Sequence, residues 1–285
     1  MNLLIAGCGD VGSKVAKIAV QQGMAVTAFA RSGDRAAALQ GITLLTGSLD
    51  DQDHPPLLPT KGVEVIYLIP PPGGGIRDSR VSTFLQNIKE GDEPSKIVYL
   101  STTSVYGDCG DRLIDETWPV NPANHTARRR CDAEEQFRAW CAVRHIPLII
   151  LRVSGIYGPG RLPLQRIQNR EPLLDATISG YTNRIHSEDL AEICLKALER
   201  GDDGDIFNVS DNEISKMNDY FNLITDMLGV ERLPQVGLDE ARRVMSPLMF
   251  GYMTESRRID SSRMFSKLGV KLKYPTLLEG LKASL

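Results

Sequence analysis

An α/β protein built on a doubly wound parallel sheet, with a smaller and mostly helical C-terminal lobe, is the fold this sequence predicts. Three observations predict it. Short apolar runs of β type alternate with segments of helical period as far as Val209, a glycine-rich turn follows the first run, and the alternation stops after Val209. The runs cover residues 3–6, 25–30, 42–45, 63–69, 96–101, 148–153 and 206–209.

The first run leads into Gly7-Cys8-Gly9-Asp10-Val11-Gly12. Gly7 turns the chain sharply out of the strand, Gly9 lets bare backbone approach a pyrophosphate, and Gly12 lets the next helix pack closely on the strand. Free N–H groups at that helix start, from Asp10 and Val11 onward, face the anion. Val11, Val15, Ile18 and Ala19 then recur at helical spacing and Gly23 stands where the helix ends. Strand, glycine loop and helix in this order predict a Rossmann-type dinucleotide site. The second strand ends in Arg31-Ser32 where NAD-specific versions of the fold place an acid on the ribose 2′-hydroxyl. A guanidinium there pairs with a 2′-phosphate, so NADP is favoured, with NAD the alternative.

Helical stripes follow at Val81, Phe84, Leu85 and Ile88, and at Leu190, Ile193, Cys194, Ala197 and Leu198. Both are expected to cover the sheet. Beyond Val209, Met217, Tyr220, Phe221, Ile224 and Leu228 share one face of a helix, among loops carrying Pro234, Pro247 and Pro275. The expected division is a nucleotide domain of residues 1–158 and 181–210, and a substrate lobe of 159–180 and 211–285 closing over the carboxyl ends of the strands.

Composition narrows the function. With 285 residues, 24% of them charged, and a net charge of -3, the chain carries no basic run fit for nucleic acid: Arg128-Arg129-Arg130 is followed by Asp132, Glu134 and Glu135. Five cysteines without a C-x-x-C spacing, and four scattered histidines, predict reduced thiols, a cytoplasmic setting and no metal site. Ile5-Ala6-Gly7-Cys8 has the look of a lipoprotein cleavage box, but the basic stretch and long apolar core that precede such a box are missing, and no run is long enough to span a membrane. The expected partner is a small-molecule substrate or ligand.

Ser101-Thr102-Thr103-Ser104-Val105-Tyr106-Gly107 resembles the S-S-x-x-V-Y-G signature of extended short-chain dehydrogenases/reductases, the NAD-dependent epimerase/dehydratase family. Further segments resemble that family in the same order: Asp115-Glu116 with Pro119-Val120-Asn121-Pro122, Arg152 with Gly155 to Arg161, Asn183 to Ala191, and Phe207-Asn208-Val209. The glycine loop departs from the G-x-x-G-x-x-G commoner in extended members. The resemblance implies a nicotinamide-dependent reaction on a carbonyl or sugar-like substrate. It also implies a homodimer through the helices after the fourth and fifth strands.

The family's chemistry rests on a Tyr-x-x-x-Lys pair, and here no Lys follows a Tyr at that spacing. Aligning Glu134 with a family Glu puts Thr126 at the Tyr position and Arg130 at the Lys position, where Arg130 can hold the ribose and stabilise an oxyanion but Thr126 cannot replace a phenol. A register shifted by one pairs His125 with Arg129, and a histidine exchanges protons near neutral pH. Thr102 aligns with the hydroxyl residue that binds the substrate oxygen, and Tyr106 is the other phenol the motif places near the site. Pro70, opening Pro70-Pro71-Pro72-Gly73-Gly74-Gly75, replaces the small-residue segment that passes the cofactor in relatives, and its glycines are expected to form a mobile flap. His186 and Asp189 are expected to cap and anchor their helix. Two readings stay open: an oxidoreductase with an altered acid–base site, and a catalytically inactive NADP(H)-sensing or ligand-binding regulatory protein.

Overall fold

The computed structural model describes residues 2–32, 39–51 and 53–285. Its central sheet has seven strands: β1 (Asn2–Ala6), β2 (Ala25–Ala30), β3 (Ile42–Thr46), β4 (Glu64–Tyr67), β5 (Lys96–Thr102), β6 (Leu148–Val153) and β7 (Ile206–Val209). They run in the order β7-β6-β5-β4-β1-β2-β3, and every pairing is parallel. Each apolar run read from the sequence forms one of these strands. The fourth is shorter than its run because the chain leaves the sheet before Pro70, which has no N–H to offer the ladder.

Strand residues alternate between two buried faces. Leu3 and Ile5 point into one core with helices α1 (Asp10–Gln21) and α4 (Ser187–Arg200), while Leu4 and Ala6 point into the other with α2 (Ser79–Gln86) and α3 (His125–Arg144). Burial on both faces explains why β6 reads as an unbroken apolar run over Leu148, Ile149, Ile150 and Leu151. Under α3 an aromatic cluster sets the spacing, with the Phe137 ring 4.9 Å from Tyr99 and 5.2 Å from Tyr67.

The tail divides differently from the sequence reading. Helix α5 (Met217–Leu228) turns Tyr220, Phe221 and Ile224 into a separate lobe core with Tyr157, Leu173 and Met253, leaving Leu228 exposed. The helix Ser262–Leu268, placed with the lobe by its position in the sequence, instead buries Met264 and Leu268 in the sheet's core against α4 and β7. An amphipathic stripe declares that a helix has a partner, not which of two cores supplies it. Among the described residues, no helix is long and apolar enough to cross a membrane.

Sheet, motif loop and tail are joined by one buried polar network. The Arg152 guanidinium donates to Glu134 at 2.8 and 3.1 Å and to the Tyr106 hydroxyl at 3.0 Å. Tyr106 donates to Asn208 at 2.7 Å, and Asn208 donates to the Asp260 carbonyl at 3.1 Å. Ser101 donates to Glu134 at 2.6 Å. Strands β5, β6 and β7, helix α3 and the tail are thereby fixed to one another. Replacing Arg152 with Met leaves Glu134 as a buried carboxylate with the half-exposed Arg138 as its remaining cation and the Ser101 hydroxyl as its other donor. The expected loss is about 3–5 kcal/mol of stability, measured by urea unfolding.

Candidate functional site

The strand order reverses between β1 and β4, which opens a crevice at the carboxyl edge of the sheet, and the glycine loop lies there. Gly7 has φ +107°, and a Cβ on it would lie 2.8 Å from the Ile69 nitrogen; a Cβ on Gly12 would lie 2.3 Å from the Gly7 carbonyl oxygen. Both are glycines because the loop is wedged between β4 and α1. Gly9 is different: a Cβ there meets nothing within 4 Å, so packing gives no reason for it, and close approach by a ligand does. The N–H groups of Asp10, Val11 and Gly12 have no acceptor among the described residues, and Gly9 provides no side-chain cap. An anionic pyrophosphate fits these donors.

Asp10 begins the helix with a carboxylate that has to be neutralised for an anion to bind. It pairs with Lys14, and Arg161 donates to it at 2.9 Å. Burial alone would raise its pKa, but these two cations outweigh burial and hold it below the usual carboxylate range. Arg161 thus brings positive charge to the glycine loop, a role its sequence position did not announce. Arg31 and Ser32 are exposed at the carboxyl end of β2. Nearby, Arg80 grips Asp50 through two bonds of 2.6 and 2.7 Å and lowers its pKa, with Arg31 adding a further pull. Pro70 is exposed, and its segment is pinned where the sequence reading has a mobile flap: Arg80 donates to the Pro70 carbonyl at 2.8 Å, and Arg129 to those of Gly74 and Gly75 at 3.0 and 2.8 Å.

Beyond the carboxyl ends of β5 and β6, a cleft of about 370 Å³ opens between sheet and lobe. Thr102, Ser104, Ser154, Asn183, Arg184 and Arg161 lie on its wall, with Tyr252 contributed by the lobe helix Pro247–Thr254. The Thr102 hydroxyl accepts from the Ser104 N–H at 3.2 Å and the Ser104 hydroxyl at 3.1 Å, so it caps the turn after β5 and still keeps its own proton to donate.

The other acid–base candidates lie elsewhere. Tyr106 is fully buried, both donates and accepts within the polar network, and is absent from the cleft wall; burial, opposed by Arg152, pushes its pKa up to about 12. This geometry makes it a strut and does not support its reading as proton donor. Arg130 donates to the Leu100 carbonyl at 2.9 Å and the Tyr99 hydroxyl at 3.2 Å, holding a positive charge against the end of β5. His125 is exposed at the start of α3, and its pairing with Arg129 is not made: Arg129 is committed to the Gly74–Gly75 carbonyls and to Thr126. His186 caps α4 by accepting from the Glu188 N–H at 3.3 Å, and Asp189 accepts from the N–H groups of Lys273 and Tyr274. Asn183, Arg184 and Tyr252 have no candidate role in the sequence reading, since only the fold brings them to one wall.

Residues 81–210 match the model of the NAD dependent epimerase/dehydratase family. That segment belongs to the family. Among curated relatives, dTDP-D-glucose 4,6-dehydratase of Bos taurus is 30% identical over 125 residues, covering 41% of this chain and 35% of that protein. The chain therefore spans about a third of the length of the dehydratases it matches first. Protein YeeZ of Escherichia coli (strain K12) is 28% identical over 185 residues, covering 63% of this chain and 59% of that one. Among solved structures, a functionally unknown conserved protein from Silicibacter pomeroyi superposes with a TM-score of 0.81 at 29% identity, covering 99% of this chain and 97% of its own. UDP-glucuronic acid 4-epimerase from Bacillus cereus, solved in complex with NAD, superposes with a TM-score of 0.78 over 100% of this chain and 97% of its own; at 16% identity it shares the fold alone. The epimerase/dehydratase motifs of this chain map onto the polar network and the cleft wall, which share the turn after β5.

Two outcomes follow. Gly12→Ala is expected to cost about 1–3 kcal/mol through overpacking, whereas Gly9→Ala should stay within about 1 kcal/mol of the parent yet weaken dinucleotide binding; urea unfolding and a binding titration check the pair. At Asp211, burial lifts the carboxyl from 3.8 to about 7. The folded state therefore holds a proton there that the unfolded state has released, so the stability this proton contributes is lost as pH rises from about 4 through about 7. Asp211→Asn should remove that part of the pH dependence, read from urea midpoints across this range.

Proposed function

We propose that this chain is an NADP-dependent oxidoreductase that works on a carbonyl or hydroxyl carbon of a small, sugar-like molecule bound in the cleft. The observation that carries the reading is the position of Arg161, which lines the cleft and also reaches Asp10 at the start of α1, so that the nucleotide loop and the cleft share a wall. Bound NADP(H) would supply or take up the hydride. Gly7, Gly9 and Gly12 with the N–H groups of Asp10, Val11 and Gly12 would hold its pyrophosphate, and Arg31 would face the 2′-phosphate.

This chain's residues divide the remaining work. The Thr102 hydroxyl donates to the reacting oxygen. Tyr252 is the one phenol on the cleft wall among the described residues, and it takes the proton-donor role for which Tyr106 is too enclosed. Arg130 keeps a fixed positive charge at the end of β5. The same structure lends a specific observation to the second reading, an NADP(H)-sensing protein without turnover: no Tyr–Lys pair exists on α3, where Thr126 and Arg130 stand in register.

Thermal shift with NADPH and NADH tests the cofactor, with stabilisation by NADPH expected to be the larger. Arg31→Asp should reverse that preference by at least about tenfold in affinity, the weight of a charge-assisted contact; stabilisation by neither nucleotide would sink both readings. Single-turnover oxidation of bound NADPH against carbonyls and nucleotide-sugars separates enzyme from sensor. If turnover occurs, Tyr252→Phe should slow it by at least about a hundredfold, the usual scale of general acid catalysis.

A further inference from the structure

Arg184 is a buried cation without a counter-ion. It is 7% exposed, and among the described residues no carboxylate lies within salt-bridge distance of its guanidinium. A guanidinium has five N–H donors; among the described residues only Nη2 meets an acceptor, the Met217 sulfur at 3.0 Å, while Nε is buried with none. The Tyr220 ring face lies 3.6 Å from the guanidinium carbon. Burial pulls its pKa down, and the one carboxylate acting on it, Asp211, is itself driven toward its neutral form. A thioether and a ring face do not replace the hydration a guanidinium gives up.

Two further donors share this condition on the same wall. Asn183 is 3% exposed; its Oδ1 accepts from the Ile259 N–H at 3.0 Å, but its Nδ2 is buried with no partner. Ser154 is 8% exposed and its hydroxyl is likewise unpartnered. The backbone draws the three together, because the Gly155 N–H donates to the Asn183 carbonyl at 3.0 Å as β6 ends. Gly155 also makes room: a Cβ there would lie 3.2 Å from Arg184 Nη1. All three side chains line the cleft, and all three have hydrogen to give.

We propose that Ser154, Asn183 and Arg184 form an oxyanion pocket in the cleft, and that the small molecule it takes carries a carboxylate or phosphate group bound there. A planar guanidinium beside an amide and a hydroxyl matches two oxygens of such a group. The inference rests on the reading of the cleft as the substrate site, and it adds that this substrate is an anion.

The test measures thermal shift and calorimetric titration of the full chain with malonate and with inorganic phosphate, without nucleotide. Saturable binding of either is expected, and the tighter of the two tells carboxylate from phosphate. Arg184→Met should be at least as stable as the parent in anion-free buffer, because an unpaired buried charge is gone, and should bind the probe at least about tenfold more weakly. Arg232→Gln, exposed on the lobe and absent from the cleft wall, should bind it as the parent does. If Arg184→Met does not fold, Gly155→Ala carries the test by displacing the guanidinium with its charge intact, and weaker binding is again expected. No saturation by either probe, or equal affinity in the variant tested, overturns the pocket. Anion binding without any NADPH response would leave the pocket standing and remove the proposed function; the reverse would do the opposite.

Discussion

Glu134 and Arg152 face each other at 2.8 Å inside the protein, and much of the site's geometry depends on that pair. Each ion is about 97% buried, which is tolerable because the pair is bidentate and further groups meet it: Ser101 and Arg138 donate to the carboxylate, and the Tyr106 hydroxyl accepts from the guanidinium. The demand for partners propagates. Tyr106 is drawn to Asn208, and Asn208 to the Asp260 carbonyl, so strands, helix α3 and tail take up one relative arrangement. Glu116 joins by accepting from the Asn208 N–H at 2.8 Å. The turn that carries Thr102 into the cleft starts from this scaffold.

Seen this way, the motif residues fall into two groups with different physics. Ser101, Tyr106, Glu116, Arg152 and Asn208 bond within one network inside the protein, and none of them lines the cleft. Thr102, Ser154, Asn183 and Arg184 retain donors that the protein does not use. Unused donors at a cleft wall are costly to a folded chain, and they persist where a ligand repays the cost. The same distinction separates the glycines: Gly7 and Gly12 are required by neighbouring atoms, and Gly9 by open space.

Charge around the nucleotide loop follows a similar logic. Asp10 at the start of α1 interacts favourably with the helix dipole but opposes an anion in the same place. Lys14 and Arg161 cancel that opposition, and Arg161 does so from the cleft wall, which links the loop to the segment bordering the lobe. At the carboxyl end of β2, the Asp50–Arg80 pair pins Pro70 while Arg31 stays exposed, so a stiff edge carries an accessible guanidinium.

The sequence by itself determined the sheet, because strand burial writes its period directly into residue order: seven runs became seven parallel strands, and the glycine loop followed the first. It also determined the dinucleotide loop, since turn, approach and packing each demand a glycine at a fixed offset. Only the tertiary structure decided what the motif side chains do. Tyr106 reads as a phenol near the site, yet whether it faces the cleft or the interior depends on Arg152 and Asn208, far away in sequence. The same holds for Arg129, which turns to the Gly74–Gly75 carbonyls, and for the helix Ser262–Leu268, which chooses the sheet over the lobe. Arg184 and Tyr252 became site residues for the same reason. Local order encodes backbone shape, but the partners of a polar side chain are set by segments that meet only when the chain has folded.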